Sequence, residues 1–151
     1  IARALPAASI VVLRRHPLDT GLSNFRQLFA TGFSYYEYAR DLRDIGRYYV
    51  QFDRLIAHWR ATLPGRVHEV RYEALVADQR AETGRLLAHC RLPWEEACLH
   101  FERNVRAVAP ASAVQVRQPL YVSSVGRWRR FERHLQPLIA ELLAAGVPVT
   151  D

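Results

Sequence analysis

The sequence predicts an α/β fold in which parallel strands are joined by helical crossovers. A short apolar run rich in β-branched residues, a second segment in which apolar residues alternate, and the helical segments between and after them support this class. The 151 residues match one domain, and half of them are hydrophobic, which is a globular composition. Because two strands are too few for a stable sheet, we expect residues 1–151 to be the C-terminal part of one domain.

The first strand and helix are predicted from the beginning of the chain. Ile10 to Leu13 read "IVVL", a run that is apolar on both faces and suits a central parallel strand. Pro17 suits the first turn of the next helix, and Asp19 puts a carboxylate near its positive end. An apolar stripe at helical spacing follows at Leu22, Phe25, Leu28 and Phe29.

The clearest helix begins at Asp41 and is stopped by Pro64-Gly65, because its apolar residues recur at intervals of three and four. The next segment, "RVHEVRYEAL", alternates around Val67, Val70 and Tyr72, which predicts a second strand.

The remaining segments are predicted to be mostly helical. Asp78 is a candidate cap for the helix of "AETGRLLAHC", and "WEEACLHFERN" predicts another helix after Pro93. A final helix follows "SSVGRW", and Pro137 is expected to break it into two pieces.

The charge pattern favours an anionic partner. The net charge is +6, and all 21 basic residues are arginine, which is a better planar fork for phosphate or sulfate oxygens than lysine. Nucleic acid is not predicted, because the arginines are not interleaved with aromatic residues as in single-strand platforms. The glycines form no Walker loop, no dinucleotide fingerprint and no hydrolase elbow.

The cysteines predict neither a disulfide framework nor a metal site. Cys90 and Cys98, with His89 and His100 beside them, lack the close ligand pairs of zinc sites. Free thiols fit a reducing cytoplasm, which is the predicted location. No run reaches transmembrane length, so no membrane partner is predicted.

The junction after the first strand is the strongest candidate site. In a parallel sheet, ligands bind beyond the carboxyl ends of the strands, where helix N-termini point. Arg15 leaves the strand there, backbone N–H groups are expected to be free near Pro17, and Thr20 and Ser23 add hydroxyls. These groups predict a phosphate pocket; the alternative is that the arginines only solvate a strand end.

Residues 104–124 show no periodicity. A structureless stretch of this length is uncommon in compact domains unless it binds something or is disordered. Both interpretations stay open from the sequence: a binding loop, or a flexible connection.

Three motifs, in order, resemble sulfotransferases that use 3′-phosphoadenosine 5′-phosphosulfate (PAPS). "RRHPLDTGLS" is similar to the element whose Arg and Ser bind the 3′-phosphate, which implies Arg15 and Ser23. "VRYEALV" resembles the strand end whose Tyr contacts the nucleotide, which implies Tyr72. "SAVQVRQPLYVSSVGRW" resembles the late cofactor loop of the tyrosylprotein type and of bacterial enzymes fused to tetratricopeptide repeats, which implies Ser112 at the transferring sulfuryl group and Arg127 on the cofactor.

The resemblance implies a P-loop-NTPase-like fold, a parallel sheet with flanking helices, here mostly helical. It also implies PAPS as co-substrate, a hydroxyl acceptor (a protein tyrosine, a sugar or a small molecule) and no metal. The family's strand–loop–helix for the 5′-phosphosulfate and its general base have no counterpart, so we expect the chain to need the upstream part of its domain for activity. The chain departs from the family at His16, where Asp or Asn is frequent, and at Gln27, where a cofactor-binding Arg stands in the tyrosylprotein enzymes; the adjacent Arg26 is the candidate instead.

Two alternatives belong to other classes of function. The first is a non-catalytic module of the same fold that binds an anion or a partner chain. The second is a basic nucleic-acid binder, which ranks last and predicts an affinity that falls steeply with salt.

Overall fold

The computed structural model describes residues 2–27, 29, 34–104, 120 and 122–150. Two strands, β1 Ile10–Arg14 and β2 Val67–Arg71, pair as a small parallel sheet. The α-helices of this part are α1 Pro17–Arg26, α2 Leu42–Thr62, α3 Tyr72–Ala77, α4 Gln79–Cys90 and α5 Gln136–Ala144. Segments of 3₁₀-helix cover Ser34–Arg40, Glu96–Leu99, Phe101–Arg103, Val122–Ser124 and Arg127–His134. The mostly helical content is confirmed.

The chain divides into two compact units. Unit 1 consists of Ile1–Arg14 and His68–Val122, and unit 2 consists of Arg15–Val67 and Ser123–Asp151. Unit 1 contains the strand pair, α3 and α4. Unit 2 contains α1, α2 and α5.

Unit 1 is built around the strand pair and α4. Arg14 Nε lies 3.2 Å from Glu69 Oε1 across the two strands, and Val70 is buried. The carboxylate of Asp78 accepts the N–H of Ala81, so the predicted cap of α4 is confirmed. The helix ends at Arg91, whose φ of 58° is the left-handed conformation that commonly terminates helices.

Three sequence predictions in unit 1 are wrong in detail. Strand β2 ends at Arg71 and Tyr72 begins α3, because the following Glu, Ala and Leu favour helix. The predicted helix after Pro93 is two short 3₁₀ segments, interrupted at His100 with φ −122° and ψ 42°. β1 is not buried on both faces, since the side chains of Val11 and Leu13 are 42% and 61% exposed.

Unit 2 contains the hydrophobic core. The buried side chains come from α1, α2, α5 and the segments around α5: Leu18, Leu22, Ile45, Tyr49, Val50, Trp128, Leu135, Leu138, Leu142 and Val147. Leu138 and Leu142 are completely buried. Close packing of α2 against α5 depends on Gly46, since a Cβ there would lie 2.8 Å from Cβ of Glu141.

The helix ends in unit 2 follow the sequence signals closely. The carboxylate of Asp41 caps α2 by accepting the N–H groups of Arg43 and Asp44. The final helix is broken as predicted, with Pro137 in the first turn of α5, but the piece before it is 3₁₀ rather than α-helix. Phe25, predicted to face the core, is 46% exposed. Leu28, in the same predicted stripe, lies outside the described residues.

The described part of the chain has neither a membrane-spanning helix nor a cluster of metal-binding side chains. None of its helices combines the length and the apolar character needed to cross a bilayer. No group of three or more His, Cys, Asp or Glu side chains in this part is arranged to hold a metal ion.

Candidate functional site

The start of α1 is closed by His16 rather than open to an anion. Nδ1 of His16 accepts the N–H of Leu18 at 3.3 Å, and its carbonyl accepts the N–H of Thr20 at 2.9 Å. Pro17 has no N–H to offer. The expectation of several free backbone donors at this helix end is therefore wrong, and any anion must be held here mainly by side chains.

Arg15 is anchored at both its backbone and its guanidinium. Its Nη2 donates to the carbonyl oxygen of Ser124, and the same nitrogen lies 3.8 Å from Oδ2 of Asp19. The hydroxyl of Tyr49, on α2, donates to the carbonyl of Arg15 at 3.2 Å. The side chain of Arg15 keeps 24% exposure, so it is fixed in direction but still reached by solvent.

Asp19 joins α1 to a segment more than a hundred residues later. Its buried carboxylate accepts the N–H of Gly126 at 2.7 Å and the N–H of Trp128 at 2.9 Å. These two amides flank Arg127, whose own side chain is exposed. Gly126 has φ +67°, a conformation that favours glycine, and this turn brings both amides to one carboxylate.

Aromatic stacking also holds Trp128 against His16 at the start of α1. The rings of His16 and Trp128 stack at 5.2 Å with 5° between their planes, and the guanidinium of Arg129 lies 5.1 Å from the centre of the Trp128 ring. Trp128 is only 8% exposed. Within the described part of the chain, its buried Nε1 has no hydrogen-bond partner, which is uncommon for a buried donor.

We call Arg15, Asp19 and residues 124–128 the arginine corner. It contains Arg15, whose guanidinium lies beside the buried carboxylate of Asp19, and Arg127, whose neighbouring N–H groups bond to that carboxylate, and Arg129 follows closely in the sequence. Positive charge therefore exceeds negative charge, and Arg15 is oriented by its hydrogen bonds before any ligand arrives. An oriented planar guanidinium such as that of Arg15 suits phosphate or sulfate groups, which accept two parallel N–H bonds.

Comparison with known proteins identifies the family to which the chain belongs. A family model described as "Sulfotransferase family" matches residues 1–96 of this chain, more than half of its length. The chain belongs to the sulfotransferase family. An uncharacterized protein of Aquifex aeolicus (strain VF5) is 38% identical to this sulfotransferase-family chain over 141 residues, which are 93% of the chain. The chain spans 18% of the length of that relative.

Membership in the sulfotransferase family implies a P-loop-like α/β fold, which agrees with the predicted class. The family match contains Arg15, Ser23 and Tyr72, whereas the segment around Arg127 lies beyond it. That segment falls within the chain's resemblance to the late cofactor loop, and the arginine corner connects it to Arg15 through Asp19.

The predicted site residues of this sulfotransferase-family chain divide into three groups. Arg15 and Arg127 belong to the arginine corner. Ser23 and Arg26 lie on the exposed side of α1, about 9 and 13 Å along the helix axis from Pro17 at 1.5 Å per residue. Tyr72 begins α3 in unit 1 and is partly buried, and Ser112 lies outside the described residues.

Sequence reasoning missed two residues that build the corner. From the sequence, Asp19 is explained by its interaction with the positive end of the helix dipole. Its spacing of four residues from Arg15 is also a signal for an ion pair between the two. Tyr49 fits the apolar spacing of α2, and no local pattern indicates that its hydroxyl bonds to the carbonyl of Arg15. The bonds from Gly126 and Trp128 to Asp19 and the bond from Tyr49 to Arg15 join segments that are distant in the chain.

Proposed function

We propose that the protein containing this chain transfers a sulfuryl group from PAPS to a hydroxyl acceptor, and that this chain holds the 3′-phosphate of the nucleotide. The observation that carries the proposal is the arginine corner, in which Asp19 keeps the guanidinium of Arg15 and the backbone on both sides of Arg127 together. Membership in the sulfotransferase family supports the same reaction class.

The proposed roles follow the charge and position of each residue. Arg15 and Arg127 would hold the 3′-phosphate through charge-assisted hydrogen bonds, and Ser23 would add a hydroxyl from α1. Arg26, at the last turn of α1, is the weakest candidate, because it lies about 13 Å along the helix from Pro17. Tyr72 would position the nucleotide, since its phenol is a poor base with a pKa near ~10 in water.

The residues of this chain would act mainly by orientation. PAPS supplies the activated sulfuryl group, and its transfer resembles phosphoryl transfer, in which placement and charge stabilisation dominate. Arg15 and Arg127 would fix the nucleotide at the end remote from the reacting bond. Ser112 would donate a hydrogen bond to an oxygen of the migrating group. The base that takes the acceptor's proton is expected upstream.

The proposal also covers the neighbouring domain, the acceptor and the location of the protein. The motifs resemble those of the tyrosylprotein type and of bacterial sulfotransferases fused to tetratricopeptide repeats, and a repeat domain is therefore proposed as a neighbour. The acceptor would be a hydroxyl of a protein tyrosine, a sugar or a small molecule. We expect no metal and a cytoplasmic location.

The decisive test compares two nucleotides that differ in the 3′-phosphate. In the full-length protein, Arg15→Ala should weaken binding of 3′,5′-adenosine bisphosphate by about 1.5–3 kcal/mol, or about 10- to 100-fold, because a charge-assisted contact is lost. Binding of adenosine 5′-monophosphate should change far less. Isothermal titration calorimetry measures both affinities, and their ratio is insensitive to a general loss of folded protein.

Arg54→Ala is the matched control, since Arg54 is an exposed arginine of α2 with no assigned role. It should leave the ratio of the two affinities unchanged. An unchanged ratio in Arg15→Ala as well would contradict the assignment of the 3′-phosphate. Nucleotide binding without sulfuryl transfer in the full-length protein would instead identify the non-catalytic anion-binding module.

A further inference from the structure

Asp19 is the most deeply buried acidic side chain in the described residues, with 2% exposure of the whole residue and none of its side chain. A buried carboxylate is costly unless hydrogen bonds compensate for the lost water. Here the compensation comes from the N–H groups of Gly126 and Trp128, at 2.7 and 2.9 Å, and from the guanidinium of Arg15 at 3.8 Å.

From its position in the first turn of α1, Asp19 would be expected to stabilise its own helix, but its contacts do not support this role. An acidic residue in the first helical turn ordinarily interacts with the free N–H groups of its own helix. Asp19 instead uses both carboxylate oxygens on a segment 107 and 109 residues away. The first-turn N–H of Leu18 is satisfied by His16. The carboxylate of Asp19 therefore stabilises the backbone of residues 126–128 rather than its own helix.

The two bonded amides belong to the residues immediately before and after Arg127. The N–H of Trp128 lies in the peptide that follows Arg127, and the N–H of Gly126 lies in the peptide that precedes Gly126. The two bonds therefore hold both ends of the Gly126-Arg127 segment and restrict the direction in which the Arg127 side chain leaves the backbone. The same carboxylate lies beside Arg15. One buried group therefore sets the relative placement of the two arginines.

We propose that Asp19 is a positioning residue for nucleotide binding, which acts by holding the backbone on both sides of Arg127 in register with Arg15. This inference rests on the proposed function. It assigns Asp19 no contact with the nucleotide. Its effect on affinity must therefore pass through the placement of Arg127 relative to Arg15.

A double-mutant cycle separates this role from a general loss of stability. Asp19→Asn keeps the shape of the side chain, but its NH₂ group faces an N–H donor and one hydrogen bond is lost. We expect Asp19→Asn to weaken binding of 3′,5′-adenosine bisphosphate about tenfold in the full-length protein. In the background of Arg127→Ala, the same change should have an effect several-fold smaller, because the group that Asp19 positions is already absent.

Glu82→Gln is the matched control. Glu82 is a buried carboxylate of α4 that pairs with Arg85 and has no part in the corner. Its replacement should lower the melting temperature without changing nucleotide affinity. Affinity losses that simply add in the double variant of Asp19 and Arg127 would overturn the positioning role.

A second readout works without any nucleotide. Amide hydrogen exchange, followed by NMR, should show the N–H groups of Gly126 and Trp128 exchanging at least tenfold faster in Asp19→Asn than in the wild type, and unchanged in Glu82→Gln. Unchanged exchange in Asp19→Asn would overturn the inference. If the wild type binds no bisphosphate while Asp19→Asn still shows the faster exchange, the proposed function is contradicted, and Asp19 remains the residue that holds the turn.

Discussion

The two units of the chain differ in how they bury their apolar side chains. In unit 2, helices α1, α2 and α5 enclose a continuous core in which Leu138 and Leu142 have no exposure. In the described residues of unit 1, Val70 is the buried hydrophobic side chain, whereas Leu13, Leu92 and Trp94 are 40–61% exposed. The arginine corner belongs to the unit with the core, so its hydrogen bonds are supported by rigid packing.

This difference predicts where the molecule tolerates substitution. A site that depends on hydrogen bonds of 2.7–2.9 Å needs neighbours that cannot move, and the core of unit 2 supplies them. In unit 1, where several apolar side chains are exposed, a substituted side chain has fewer packed neighbours to disturb. Substitutions of similar size should therefore cost more in unit 2 than in unit 1.

The largest effect is expected at Leu138. Leu138→Ala should lower the free energy of unfolding by about 2–5 kcal/mol, because it leaves a cavity among α1, α2 and α5. Urea denaturation measures the change. Leu143→Ala, on the exposed side of the same helix at 56% exposure, should change it by about 0.5 kcal/mol or less. Equal effects of the two variants would show that α5 has no core face.

The second effect compares one helical glycine from each unit. Gly46→Ala should destabilise by about 1–2 kcal/mol, because the new Cβ would lie 2.8 Å from Cβ of Glu141, and overpacking outweighs the gain in helix propensity. Gly84→Ala should stabilise by about 0.5–1 kcal/mol, since no described atom lies within 4 Å of its added Cβ. Thermal denaturation gives both changes, and the same sign at both positions would remove the contrast between the units.

The smallest effect is a pH dependence in unit 1. Hydrogen bonds from Arg80 and Trp94 lower the pKa of Glu96 below its ordinary value of 4.5. The pair therefore stabilises the fold above about pH 4.5, and this stabilisation is lost as the pH falls through the lower pKa of the folded state. Because Glu96 is exposed, Glu96→Gln should reduce the melting temperature only slightly at pH 7, and the difference should vanish at low pH.

Glu95→Gln is the control for this last prediction, since it removes an acidic charge from the neighbouring exposed position. A melting-temperature difference between Glu96→Gln and the wild type that grows as the pH falls would contradict the assigned sign. Raising the salt concentration at pH 7 should shrink the difference, because exposed ion pairs are screened.

Much of the fold was predictable because its signals are local. The strand at Ile10, the caps Asp41 and Asp78 and the break at Pro137 depend on residues within one or two turns of each other. The end of β2 was less predictable, because Tyr72 satisfies the strand alternation and also begins a run that favours helix.

The candidate site was predictable only in part. Motifs that lie far apart in the sequence predict Arg15 and Arg127 as site residues. The spacing of four residues is a local signal for the pair of Arg15 and Asp19, but nothing local indicates that Asp19 also bonds to the backbone around Arg127. The cap of α1 by His16 was also missed, because His at this place was treated as a departure from the family motif rather than as an acceptor for Leu18. Ser112 lies outside the described residues, and its role stays a prediction.

The separation of 107 residues between Asp19 and Gly126 has a consequence for how the protein is made. Closing a loop of this length is entropically costly, so the bond is expected to form after the local helices. During translation, the carboxylate of Asp19 cannot bond to Gly126 until more than a hundred further residues have left the ribosome. The corner is therefore expected to form later than the helices, whose hydrogen bonds join residues close in the sequence.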